Sequence, residues 1–226
     1  MRKQSIITNQ YYHIYNRGVD KRDIFMDKDD INRFIESINE FNQIDGIGSL
    51  ANLRKSQSQI ESKPLSKEPL VLIVGYCLNP NHFHFILKQS VDGGIAKFMQ
   101  KLQGGYTYYF NVKNFRSGSL FQGTFKSQII DNENYFNKLI GYVNKNYQVH
   151  NIPKDKEDLV FAGDYEYENN FKIISKIEGE RMLEIFKGTK LFKKHCDEIV
   201  SIIRKERGKT SLLEEDKLPD RALDSI

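Results

Sequence analysis

His82 and His84 stand two apart in the stretch Cys77-Leu78-Asn79-Pro80-Asn81-His82-Phe83-His84-Phe85-Ile86-Leu87. Alternate side chains of a strand share a face, so this stretch sets two imidazoles side by side, with Phe83, Phe85 and Leu87 in the packed layers around them. Two neutral ring nitrogens on rigid backbone suit one divalent cation, provided a third ligand comes from another element. The same short pattern also fits two half-exposed polar residues on an ordinary amphipathic strand. Further along, Tyr142 and Asn146 in Tyr-Val-Asn-Lys-Asn are four apart. On a helix that spacing brings a phenol and an amide oxygen to one face, and by itself it reads equally as surface decoration.

The elements that would carry these residues show in the patterning. Gln10 to Arg17 alternates bulky and polar side chains and stops at Gly18, a first strand that contains His13, read either as a polar residue on the sheet face or as part of a site. Arg17, Lys21 and Arg22 then place three cations near that strand end, for phosphates or for solvent. Ile31, Phe34, Ile35, Ile38 and Phe41 recur at helical spacing from Asp27 to Phe41. Residues 44–69 shift to Gly, Ser, Gln, Lys and Pro, an exposed loop or inserted segment. Leu70 to Leu78 is a buried-strand run that pairs with the His82 strand as a hairpin across Asn79-Pro80-Asn81. Ile95, Phe98, Met99, Leu102 and Tyr106 predict a helix to about Val112, with Gly104-Gly105 marking a kink or a close approach. Ser119 to Ile130 reads as extended, with Lys126 near its middle, and Glu133 to Tyr147 as a helix carrying Tyr142 and Asn146.

Bulk properties narrow the class. With 226 residues the chain can bury a substantial core. Its 34 Lys plus Arg against 30 Asp plus Glu give a net charge of +4, which allows a polyanionic partner without demanding one. Cys77 and Cys196 alone exclude a disulfide framework and a four-cysteine zinc site, and fit a reducing cytosol. No apolar run approaches membrane-spanning length and the N-terminus lacks a signal-peptide core, so a cytoplasmic location is expected.

Taken jointly, the chain from Tyr11 to about Pro153 resembles the HUH single-tyrosine transposases, most closely the branch associated with repetitive extragenic palindromes. The resemblance runs through Tyr-His-Ile-Tyr-Asn-Arg-Gly, Asn-Pro-Asn-His-Phe-His-Phe-Ile-Leu, Tyr-Phe-Asn, Ser-Gly-Ser-Leu-Phe-Gln-Gly-Thr-Phe-Lys-Ser and Tyr-Val-Asn-Lys-Asn, in that order. It implies an α+β, ferredoxin-like antiparallel sheet with helices on one face, agreeing with the β-α-β-β-α-β-α reading. A transposase domain over residues 1–155, with 44–69 as an inserted loop, would precede a C-terminal helical extension over 156–226. Within that extension, helical spacing follows Lys172, and another apolar series ends at Arg204-Lys205-Glu206-Arg207, a basic end read either as sitting on DNA or, preferably, as the cations of a frayed helix end; the last residues from Leu212 are charged and loose. Three positions depart from the family pattern: Asn79 replaces its usual Met, Thr124 a common Arg, and Tyr147 the Pro that commonly follows the helix Asn.

The resemblance further implies that Tyr142 is the nucleophile and that His82, His84 and Asn146 hold a divalent metal, magnesium or manganese. The chemistry would be metal-dependent cleavage of single-stranded or hairpin DNA and strand transfer through a 5′-phosphotyrosine link, which stores the bond so that a 3′-hydroxyl can reverse the step. A free phenol has a pKa of about 10, so nearby cations or a base must help it attack. Arg17, Lys21, Arg22, Arg116 and Lys126 are candidates for holding the DNA, with Tyr108 or Phe121 as stacking surfaces. A homodimer is compatible with this reading. Its rivals are a non-catalytic hairpin-DNA-binding protein or regulator retaining the fold, and a replication initiator or relaxase of the same group.

Overall fold

The structure, a computed structural model, describes residues 5–45, 68–150 and 152–207. The bulk of the 44–69 segment and the tail beyond residue 207 lie outside the described residues. Strands β1 (Tyr11–Arg17), β2 (Val71–Asn79), β3 (His82–Gln89), β4 (Lys126–Ile130) and the short β5 (Phe161–Ala162) form one antiparallel sheet in the order β4-β1-β3-β2-β5. The first four follow the ferredoxin-like order 4-1-3-2. Pro80 and Asn81 alone connect β2 to β3, so Asn79 pairs directly with His82.

Helix α1 (Lys28–Phe41) starts on a reciprocal cap: Asp27 accepts from the Asp30 backbone N–H at 3.0 Å, and Asp30 accepts from that of Met26 at 2.8 Å. Lys113, at the end of helix α2 (Gly94–Lys113), donates to Asp27 and Asp30 at 2.7 and 2.8 Å and ties the two helices together. No kink occurs at Gly104-Gly105. A Cβ on Gly105 would lie 3.0 Å from the Phe41 ring, so the absent side chain lets α2 approach α1.

Phe83 packs against Phe34 of α1 with ring centroids 5.8 Å apart, and Phe34 lies 4.9 Å from Tyr106 of α2. These two helices therefore cover the Phe83 face. Helix α3 (Glu133–Asn144), capped by Asn132 accepting from the Tyr135 N–H at 2.7 Å, covers the opposite face, where a Cβ on Gly75 would stand 2.7 Å from Asn144. The expectation of helices on one face thus describes α1 and α2, while α3 closes the histidine face.

Ser119 to Phe125, expected to be extended, is irregular apart from one bridge between Gly18 and Phe121. Positive φ at Gly118 and Gly123 breaks the strand there. The helix expected from Glu133 to Tyr147 is interrupted at Lys145, whose φ of −121° ends α3 before the short α4 (Asn146–Val149).

Beyond it, β5, α5 (Asp164–Glu168), α6 (Lys176–Ile185) and α7 (Thr189–Arg207) wrap the β2 edge and the outside of α3. Buried Glu166 anchors this wrap by accepting from the Tyr76 hydroxyl at 2.8 Å and from the backbone N–H groups of Lys172, Ile173 and Ile174. Because α7 packs on α3 and the sheet lies beneath it, α3 is buried on most of its circumference, Lys138 and Asn144 included.

Candidate metal and tyrosine site

Strand pairing assembles the site. Tyr15 is opposite His84 and Arg17 opposite His82, and paired residues share a face, so β1 and β3 contribute one row of His13, Tyr15, Arg17, His82 and His84. The His84 ring runs nearly parallel to those of His13 and Tyr15, at 5.1 and 5.6 Å between ring centroids in a three-ring cluster, and lies perpendicular to His82 at 5.2 Å. Its Nδ1 is 2.8 Å from His13 Nε2.

His82 places Nδ1 2.6 Å from Asn81 Oδ1. A carboxamide oxygen only accepts, so Nδ1 carries the proton and Nε2 keeps its lone pair. That Nε2 lies 3.0 Å from Asn146 Oδ1. Two acceptors so close repel unless something positive joins them, and here the Asn79 Nδ2 donates to both, at 2.9 Å to His82 and 2.8 Å to Asn146. Neighbouring ligands around a six-coordinate ion with bonds of about 2.1 Å stand about 3.0 Å apart. The donor spacing therefore fits a small divalent ion. Among the described residues no group of three His, Cys, Asp or Glu side chains is placed to hold a metal, so a site here must include the amide oxygen.

Tyr142 is fully buried and presents its ring edge-on to His84 at 5.6 Å and to His13 at 6.4 Å. Its neighbour in the motif, Asn146, arrives from the next helix across the Lys145 break, not from one continuous helical face. Burial keeps the imidazoles neutral: His13 is pushed down to about 3, and His84 well below the ordinary histidine range by burial and then by neighbouring His13 and His82. His150, 4.7 Å from the His82 ring, is lowered in the same way.

The expected cations divide. Arg17 and Lys21 line a cleft of about 690 Å³ beside His82, together with Lys156, Arg204 and Arg207 from the C-terminal part and a single acid, Asp23. Lys126 sits on the other side of Arg17, over the Tyr15 ring at 5.7 Å. Arg22 turns back to Val19 O and Asp20. Arg116 bonds Asn111 Oδ1 at 2.5 Å and Ser119 O at 3.0 Å, bracing the turn after α2. Tyr108 is exposed as a stacking surface would be; Phe121 is not, since it packs in the core against Phe83. Tyr106 likewise is core, its hydroxyl bonded to Ile24 O at 2.5 Å.

Sequence reasoning missed His13 as the partner of His84, Asn79 as a member of the site, and the cleft's Lys156; Arg204 and Arg207 it offered either for DNA or as cations of a helix end. For Asn79 a signal existed: a two-residue connection makes it the cross-strand partner of His82. For Arg204 and Arg207 the sequence showed the basic run, and the packing of α7 brings it beside His82; for Lys156 no signal existed.

Residues 55–146 match the family model described as "Transposase IS200 like". Among solved structures, one described as "Structure of the REP associates tyrosine transposase bound to a REP hairpin" is 14% identical, with a TM-score of 0.49, covering 77% of this chain and 89% of that one. No curated protein matches the chain significantly. The segment that is similar to the IS200-like transposase family contains His82, His84, Tyr142 and Asn146.

Proposed function

We propose that this chain cleaves and rejoins single-stranded or hairpin DNA, with Tyr142 as nucleophile and His82, His84 and Asn146 as the ligand set for a divalent metal. The observation that carries the reading is the 3.0 Å approach of His82 Nε2 to Asn146 Oδ1, with Tyr142 packed edge-on to His84 in the same chain. Magnesium or manganese, when bound, would supply Lewis-acid polarisation of a non-bridging phosphate oxygen. The protein's own groups do the rest. The Tyr142 oxygen forms a bond to the scissile phosphorus as the P–O3′ bond breaks. The electron pair leaves on O3′, which takes a proton, while the phenol loses one. The neutral imidazoles keep lone pairs for the ion, and the basic cleft of Arg17, Lys21, Lys156, Arg204 and Arg207 would hold the strand's phosphates.

A second reading has an observation of its own. Tyr142 is fully buried, as suits a hairpin-binding protein that keeps the fold without the chemistry. One experiment separates the two: labelled single-stranded hairpin DNA is incubated with the protein and manganese, then with chelator, and resolved on a denaturing gel. A protein-linked band that needs metal and is lost in Tyr142→Phe supports the transesterase. Retarded DNA on a native gel with no linked band across several hairpins supports the binder.

A further inference from the structure

The most unusual feature of the site is Asn79, fully buried at the end of β2. Its Nδ2, His82 Nε2 and Asn146 Oδ1 form a triangle with sides of 2.9, 2.8 and 3.0 Å. Those are the edge lengths of one face of a coordination octahedron with bonds of about 2.1 Å. Two corners already carry lone pairs, and the third carries an amide NH₂ that occupies the notch as a neutral stand-in for a cation. A half-turn of the Asn79 side-chain amide exchanges that nitrogen for Oδ1 and leaves three lone-pair atoms facing one point.

The surroundings permit the turn. Asn79 Oδ1 now accepts from the Cys77 thiol at 3.6 Å. A thiol both donates and accepts, so it meets either end of the amide. On the far side, Asn146 Nδ2 is buried without a hydrogen-bond partner among the described residues, which marks the present arrangement as one in which the polar groups are not fully matched.

We propose that Asn79 is a metal ligand in this chain: its Oδ1 completes a facial set with His82 and Asn146, and its Nδ2 holds the same notch closed when no metal is bound. The inference rests on the metal reading above.

The test is the affinity for manganese alone, by isothermal titration calorimetry, with thermal unfolding of each variant with and without manganese. If Asn79 is a ligand, Asn79→Asp supplies a charged oxygen and tightens binding by at least about tenfold, while Asn79→Met weakens it about tenfold. Without metal, Asn79→Asp places a carboxylate against two acceptors, so its unfolding midpoint falls below that of the wild type, and manganese restores it. An Asn79 that acts only by donating gives the opposite sign, because aspartate cannot donate. Tightening in Asp with weakening in Met supports the proposal; Asp binding no tighter than the wild type, or Met binding equally well, overturns it. His82→Ala serves as the reference. If it abolishes binding while the Asn79 variants have no effect, the metal site stands and only the role of Asn79 falls; if the wild type shows no binding that depends on His82, both fall.

Discussion

His13 Nε2 lies 2.8 Å from His84 Nδ1, a side-chain link between the two central strands of the sheet. For His84 to offer Nε2 to an ion, its Nδ1 must carry the proton and donate it to His13, which then is protonated on Nδ1. His13 is therefore a positioning residue for His84, fixing both tautomer and ring plane. His13→Phe keeps the ring and loses the acceptor. We expect a 10- to 100-fold weaker manganese affinity, roughly the cost of losing such a partner, with DNA retention unchanged. Calorimetry beside a gel-shift assay checks it, and equal loss in both would point to general damage.

The buried histidines also set a pH dependence. The folded values of His13 and His84 lie below that of an unfolded histidine, about 6.5. Lowered values mean that the unfolded chain takes up protons the folded chain refuses. Their contribution is fully present above about pH 6.5 and is lost as the pH falls toward the folded values, about 3 for His13. Urea unfolding at about pH 7.5 and about pH 5, where carboxylates remain mostly ionised, should show lower stability at the acid value. The slope should be shallower in His13→Phe; a flat wild-type profile contradicts the assignment.

Gly75 fixes how closely α3 sits on the sheet. Its absent Cβ would lie 2.7 Å from Asn144 Nδ2, which itself donates to Ile140 O at 2.9 Å within α3. Gly75→Ala forces the helix outward and should cost about 1–3 kcal/mol, read from urea midpoints. Because Tyr142 rides on the same helix, any covalent adduct formation should fall further than the lost stability explains.

The cations should separate by position. Arg17 and Lys21 line the cleft beside His82, whereas Arg116 is committed to Asn111 and Ser119. Arg17→Ala and Lys21→Ala should each weaken hairpin-DNA binding and reduce the slope of log affinity against log salt by about 1. Arg116→Ala should leave that slope unchanged. Fluorescence anisotropy across a potassium chloride series distinguishes them, and an equal loss in Arg116→Ala would move the DNA to the other face of the sheet.

Local chemistry in the chain determined a good deal. Period-two alternation placed His82 and His84 on one face, helical spacing placed α1 and α2 to within a few residues, and the ordered blocks from Tyr11 to Pro153 carried the resemblance to the tyrosine transposases and the antiparallel sheet it implies. These features rest on neighbours in sequence, where backbone geometry alone dictates which side chains meet. Tertiary structure decided the rest. The His13 contact exists because β1 and β3, about seventy residues apart in sequence, lie side by side. The burial of most of α3 follows from its being held between the sheet and α7. Arg204 and Arg207 reach the cleft only through that same packing, and Asn79 enters the site because the tight turn sets it against His82 while α4 brings Asn146 over both. Such contacts depend on where whole elements dock, which is fixed by burial summed over the entire core and is written in no single stretch of the chain.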